Sequence, residues 1–409
     1  MSKIEEITLD NAAFGGESIG RLSDGRAVFV PFSIPGETIR VRITQDKKRY
    51  ARGQLLEVIE PSPFRVAPRC RHFGVCGGCH YQHIAYEEQL VIKRKILKDQ
   101  LERIGKLSNP VVEDMIASPN IYNYRNHVQF HVSGKGKPGF IQADKRGVLE
   151  ISECHLPEEL LNKIWPLLEV EPKTGISNLG LRLGRDEDIL LTLESADVFD
   201  AEFNVESLPV SVVHLSPQEV QILAGSAYSV MQVKGRNFRV SAGSFFQVNL
   251  PQAEKMVEMI EGLIPENCGT ILELYAGVGL FSAFIAARVE KLVAVESSSQ
   301  ASEDFVQNLD DFDNIELYQG TVEEILPHLD IQTEIILLDP PRAGVDKNVL
   351  EKIISTSAGH IVYISCDPAT LARDSMILVQ EGYKPVRFIP IDLFSQTYHI
   401  ETLSHWIKS

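Results

Sequence analysis

The sequence predicts an α/β protein built on a mostly parallel, doubly wound sheet, preceded by a small β-barrel and a β-rich middle section. Three observations predict it. In the last third, apolar runs of strand length alternate with helical stretches, through "TILELYAGVGLFSAFIAARV", "KLVAVESS", "IELYQG", "EIILLDPP" and "HIVYISCD". Alternating strands and helices form a parallel sheet covered on both faces. Residues 1 to about 60 instead alternate apolar and polar positions between turn signals, as in "RAVFVPFSIPGETIRVRI" and "ARGQLLEVIE", the pattern of short antiparallel strands closing a barrel. From Tyr122 to about Val240, "NHVQFHV", "ILLTLES" and "NFRVSAG" are strand candidates separated by glycines and charged turns, with no chemistry of their own in the pattern.

A chain of 409 residues is too long for one compact core. The expected division is a barrel over 1–60, a central domain over 61–240 and the parallel-sheet domain over 241–409. No run of eighteen apolar residues occurs, and "MSKIEEITLD" lacks the basic start and apolar core of a signal peptide, so the cytoplasm is the expected location.

The net charge of −16 argues at first against a nucleic-acid partner. Its distribution reverses that reading, because Thr38 to Lys106 carries fifteen Lys and Arg against seven Asp and Glu. One end is suited to a polyanion, although a merely solvated basic surface would look the same by charge alone. The stretch "TQDKKRYARG" is expected to place Lys47, Lys48, Arg49, Tyr50 and Arg52 on one exposed loop, a combination that suits phosphates and a stacked base. A basic helix is expected over 87–105, with Leu90, Ile96, Leu97, Leu101 and Ile104 as an apolar stripe that packs on a neighbouring domain.

Six cysteines in a reducing compartment point to metal ligation or catalysis before disulfides. In "CRHFGVCGGCHYQH", Cys70, Cys76 and Cys79 fall at spacings of six and three, and Cys154 in "ISECHLP" is the candidate fourth ligand of an iron–sulfur cluster. His72, His80 and His155 keep a zinc site open as the alternative. Cys268 reads as a plain buried thiol. Cys366 differs, because it stands where the apolar strand "HIVYIS" opens into a loop.

Ligands of open parallel sheets lie at the carboxyl ends of the strands. Gly277 and Gly279 allow a ligand close to the first turn. Glu296 follows Tyr275 by twenty-one residues, the place of an acid that accepts ribose hydroxyls. Asp339 in "LLDPPRAG" and Cys366 in "YISCDPAT" also end strands, so one cleft is expected to collect all four elements. Taken alone, Asp339 before two prolines is a turn former.

These motifs, in this order over nearly the whole chain, resemble the S-adenosylmethionine-dependent RNA uridine-5-methyltransferase family, in its iron–sulfur-containing ribosomal RNA (23S-type) branch. The residues that carry the resemblance are the barrel, "CRHFGVCGGC" with Cys154, "SAGSFFQVN", "ELYAGVGLFS", "LDPPRAG", "SCDPATLARD" and "QTYHIETL". It implies a Rossmann-like methyltransferase domain, an N-terminal barrel of the TRAM (OB-like) type and a β-rich central domain bearing a [4Fe–4S] site. It places Gln247, Tyr275, Gly277, Glu296 and Asp339 at the S-adenosylmethionine site, Cys366 as nucleophile and Glu401 as general base. Cys70, Cys76, Cys79 and Cys154 become the cluster ligands, with a structural or RNA-binding role for the cluster. Leu280 stands where relatives often have Asn or Thr, Asp367 where Asn is common, and Ser395 and Gln396 where a Pro-His pair is frequent.

The implied chemistry accounts for the thiol. Carbon 5 of uracil becomes nucleophilic after Cys366 adds to carbon 6, and a base must later remove the carbon 5 proton. Glu401 is the matching carboxylate, and His399 is the weaker candidate. The thiolate is the reactive form, so the site is expected to stabilise it. A stacked uracil must turn out into the cleft. Ribosomal RNA is the favoured partner of a monomeric enzyme without membrane contact. Transfer RNA is the alternative, and a non-catalytic RNA-binding iron–sulfur protein is a different class that would need no ordered thiol, base and cofactor acid.

Overall fold

Strand alternation in the first sixty residues produces a closed barrel in the computed structural model, which describes residues 3–168, 170–171, 174–197 and 210–409. Its strands are Ile4–Ala13, Glu17–Arg21, Ala27–Pro31, Thr38–Asp46 and Tyr50–Glu60. Val28, Val30, Ile39, Val41 and Ala51 point inward and are fully buried, while the intervening residues face solvent. Gly53 is required here, because a Cβ would come within 2.2 Å of the Val41 side chain. The basic tip is smaller than the sequence suggests. Only Lys47–Arg49 connect the strands, and Tyr50 and Arg52 belong to the last one, although all five residues remain exposed. Alternation across Tyr50 to Arg52, with Ala51 inside, explains the difference.

The middle of the chain forms a seven-stranded sheet, from Val220–Ala224 through Val210–Leu215, Ile189–Ser195, Ile176–Leu183 and His127–Val132 to Pro138–Ile141 and Val148–Glu150. A hairpin, Tyr228–Val233 with Arg236–Ser241, follows it.

The last sheet has the order Ile315–Gln319, Val289–Glu296, Cys268–Leu274, Ile335–Leu338, His360–Ser365, Glu401–Lys408 and Tyr383–Ile391. Its first five strands are parallel and the last two pair antiparallel. Side chains on both faces are buried, which is why these strands read as near-continuous apolar runs. Cys268 is a buried member of this core.

The basic helix spans Tyr86–Arg103. Leu97 and Leu101 join the core of the last sheet with Leu371 and Ala372, whereas Ile92 and Ile96 pack with Ile34 of the barrel connection, Tyr81 and Ile400. Ile104 lies past the last helical turn and is 38% exposed, so it is outside the stripe. The stripe also contains Lys93, which is completely buried. Among the described residues, no helix is long and apolar enough to cross a membrane.

Candidate active site

The parallel strands deliver their chemistry at one edge. Cys268–Leu274 ends at Tyr275, a non-glycine residue with φ +65°, and the chain turns through Gly277 at +58° and Gly279 at +84°. A Cβ on Gly279 would meet Leu309 and Phe305 at 2.3 and 2.9 Å, so only glycine lets this turn settle on the helix Ser299–Asn308. Glu296 closes the next strand. Its carboxylate accepts from the Gly277 N–H at 2.8 Å and the Ser298 N–H at 2.7 Å. Gln247 is buried nearby in sequence to Phe245, which is 68% exposed. Leu280 is packed into the apolar core and supplies no polar group.

Cys366 follows His360–Ser365 and precedes the helix Pro368–Gln380. Asp367 caps that helix, accepting from the N–H groups of Ala369 and Thr370 at 2.9 and 3.0 Å, a role that Asn would fill equally. Glu401 opens the antiparallel neighbour, where Ser365 pairs with Thr402, and the register therefore brings Glu401 beside Cys366. Asp339 follows Leu338 on the adjoining strand, and its N–H donates to the Leu274 carbonyl at 3.4 Å. The electrostatics join the three groups. Burial pushes the Cys366 thiol up to about 12, Glu401 and Asp339 push the same way, and Arg342 opposes them. Burial raises Asp339 to about 7 and, helped by Asp339, lifts Glu401 well above the ordinary carboxylate range. His399 is driven the other way, down to about 3, by burial and by Arg342 and Arg125.

Without ligands, desolvation and the acidic groups of Glu401, Asp339 and Asp367 act to raise the thiol, and Arg342 acts to lower it. The same field separates the two base candidates. A buried Glu401 has raised basicity, while His399 is too weak a base to compete.

The loop before Glu401 is built tightly. Ser395 donates to Asp392 at 2.8 Å, and Gln396, with φ +68°, accepts from Gln89 through its side chain at 3.1 Å. The backbone carbonyl of Gln396 accepts from both His80 and Tyr81 at 3.0 Å. Ser395 and Gln396 thus have structural partners of their own. Lys93, Arg125, Arg342 and Phe245 escaped the sequence reading. Lys93 had one visible signal, a lysine inside an apolar stripe, and Phe245 another, an aromatic doublet in a Gly/Ser loop.

A second constellation lies away from this edge. Cys70, Cys76, Cys79 and Cys154 line one cavity of about 230 Å³, together with Gln82, Arg125 and Phe140. The N–H groups of His72 and Gly78 point at the sulfurs of Cys70 and Cys76 at 3.4 Å. Burial raises Cys79 to about 12 and Cys154 to about 11. Among the described residues, no three of the four sulfurs lie within 4.8 Å of one another; the compact trio is Cys70, Glu153 and His155. The four thiols, with Glu153 and His155 beside them, are a donor set able to hold a metal ion or cluster.

The sheet order, the glycine turn and the acid after the second strand define a Rossmann-like methyltransferase, here joined to a small barrel. The chain belongs to the tRNA (uracil-5-)-methyltransferase family, whose model matches residues 194–408, and residues 3–56 match the TRAM domain. It is thus an RNA methyltransferase that uses S-adenosylmethionine. An uncharacterised RNA methyltransferase of Thermosynechococcus vestitus is 33% identical, covering 98% of this chain and 97% of that protein. One from Thermotoga maritima is 30% identical over 99% of both chains. The structure of Pyrococcus abyssi tRNA (uracil-54, C5)-methyltransferase with S-adenosyl-L-homocysteine superposes with a TM-score of 0.74 at 22% identity, covering 98% of this chain and all of that one, a likeness of fold.

Proposed function

We propose that the protein methylates carbon 5 of a uridine in RNA through a covalent Cys366 adduct, and that Glu401 completes the reaction. The observation that carries the reading is the register of Ser365 with Thr402, which holds the thiol and the buried carboxylate side by side. S-adenosylmethionine supplies an electrophilic methyl on a cationic sulfur, whose charge also favours ionised Cys366, Asp339 and Glu401. We assign Tyr275, Gly277, Glu296 and Asp339, at the strand ends, to its pocket, with Gln247 from the segment before the helix Leu250–Leu263. Phe245, exposed beside Gln247, is a stacking surface for the extruded base.

The Cys366 sulfur bonds to carbon 6, and the electron pair of the 5,6 double bond moves toward the carbonyl at carbon 4. Carbon 5 then takes the methyl group from the sulfonium, and the pair of the broken carbon–sulfur bond stays on sulfur, which leaves as the neutral thioether. Glu401 removes the carbon 5 proton, the double bond reforms, and the bond from sulfur to carbon 6 breaks, returning the thiolate. With Glu401→Gln the first bond still forms and elimination stalls. Denaturing gels with labelled RNA should show a retarded band for Glu401→Gln that vanishes when Cys366 is also replaced by Ala. A band that persists in the double variant would make another residue the nucleophile.

Ribosomal RNA of the 23S type is our preferred substrate, supported by the four-thiol motif; the family description supports transfer RNA as the second reading. Loss of 5-methyluridine from one of the two RNA classes in a deletion strain, read by mass spectrometry, separates them. Cys70, Cys76, Cys79 and Cys154 are assigned to one [4Fe–4S] cluster, which supplies a rigid anionic cross-link between the chain segments. Anaerobically purified protein should contain about four iron and four sulfide per chain. Stoichiometric zinc without sulfide would overturn that assignment.

A further inference from the structure

The walls of the thiol cavity also hold the loop that leads to Glu401. On one side, Cys79 is followed by His80 and Tyr81, the two residues whose N–H groups donate to Gln396, and the His80 ring packs edge-on against Tyr398 with centroids 4.6 Å apart. On the other side, Tyr124 and Arg125 both donate from their backbones to Leu156, two residues beyond Cys154, at 2.9 and 3.0 Å. The Tyr124 hydroxyl donates to the Ser395 carbonyl at 3.0 Å, and the Arg125 guanidinium lies 5.8 Å from the centre of the Phe394 ring. Phe394 and Tyr398 then flank His399, with centroid separations of 5.6 and 4.4 Å.

Arg125 is the unusual member. It lines the cavity, and among the described residues its side chain makes one hydrogen bond, from Nε to the Tyr124 hydroxyl at 3.4 Å, with the guanidinium 5.8 Å from the centre of the Tyr124 ring. The described residues give it no carboxylate partner; the ionisable groups that face it are Tyr124, the thiols of Cys79 and Cys154, and the imidazoles of His127 and His399. Arg125 is half-buried, and a cation drawn away from water is held best with an anion opposite. Protonated thiols are not anions, whereas four thiolates around a metal cluster are.

We infer that Arg125 is a positioning residue: the negative charge of the thiolate-bound group in the cavity holds its guanidinium against Phe394 and so fixes the loop that sets His399 and Glu401. The inference rests on the cluster assignment above. Filling the cavity and ordering the active-site wall become one event, although the cluster takes no part in methyl transfer.

Hydrogen exchange on the full-length protein, loaded with cluster and after its removal by oxidation and chelation, tests this, with iron measured in each sample. Amides of Ser395–Ile400 should exchange about tenfold faster after removal, while those of Ile335–Leu338 stay unchanged. Loaded Arg125→Met should keep its iron and show the fast loop, and Arg125→Lys, which retains the charge, should restore slow exchange. A loop that is equally slow with and without cluster, or in iron-loaded Arg125→Met, overturns the inference and leaves the cluster assignment intact. A protein that takes up no iron overturns both.

Discussion

Lys93 Nζ lies 2.6 Å from Asp392 Oδ1, and neither side chain has any surface open to solvent. Lys93 belongs to the helix that packs on the last sheet, and Asp392 begins the loop before Glu401. Asp392 also accepts from the Tyr86 hydroxyl at 2.7 Å and from Ser395. Desolvation lowers Lys93 and Asp392 raises it, so the pair endures only while both partners are present.

Lys93→Met should therefore strand a buried carboxylate and cost about 3 kcal/mol of stability. Denaturant unfolding measures the loss. Lys93→Met combined with Asp392→Asn should recover part of it, since no unpaired charge remains. Equal stabilities of single and double variants would mean that Asp392 is satisfied by Tyr86 and Ser395 alone.

In the proposed pocket, Asp339 should link cofactor affinity to pH. Its folded value is raised from 3.8 to about 7 by burial, so below neutrality it is protonated in the free protein. A cationic ligand favours the ionised form, and binding then requires a proton to leave. Affinity for S-adenosylmethionine should weaken as pH falls below about 7, approaching tenfold per unit. Calorimetry across pH 5.5–8.5 checks this, and in Asp339→Asn the slope should flatten.

Glu273 gives a stability effect of known sign. It is completely buried, bonded by Ser282, and raised from 4.5 to about 8, chiefly by desolvation. A carboxyl held protonated in the fold contributes stability that is fully present below pH 4.5 and is lost as pH rises through about 8. Glu273→Gln should thus make the protein's thermal stability less pH-dependent in that window, with a Tm above the parent by about 5 °C at pH 9. Parallel curves for parent and variant would show Glu273 ionised in the fold.

Glu296→Ala removes the acceptor from the Gly277 and Ser298 N–H groups and, in the proposed pocket, from the ribose of the cofactor. The expected loss is about 1–3 kcal/mol of S-adenosylmethionine affinity. Unchanged affinity by calorimetry would remove Glu296 from the pocket.

The strands of the last sheet were legible because burial on both faces leaves apolar runs that end abruptly in Gly, Asp or Cys. Those endings also pointed to the cleft, since the strands share an edge. What lay hidden depends on packing between distant segments. Lys93 reads as one more charge on a basic helix until Asp392, 299 residues away, is placed against it. The chemistry implied by the resemblance asks for a stabilised Cys366 thiolate, but the sequence carries no measure of how deeply Glu401 and Asp339 are buried beside it. Arg125 follows the same rule. Its meaning comes from Phe394 and the thiols, neither of which neighbours it in the chain.

The order of strands at the far side of the last sheet has a consequence for biosynthesis. Glu401–Lys408 is translated after Tyr383–Ile391, yet it inserts between that strand and His360–Ser365. A nascent chain that has already made Cys366 therefore has an open slot in the sheet, with no carboxylate opposite the thiol. A product that stops before Glu401 would lack the buried Leu403 and Trp406 as well as the proposed base, so one late strand closes the core and the proposed catalytic pair together.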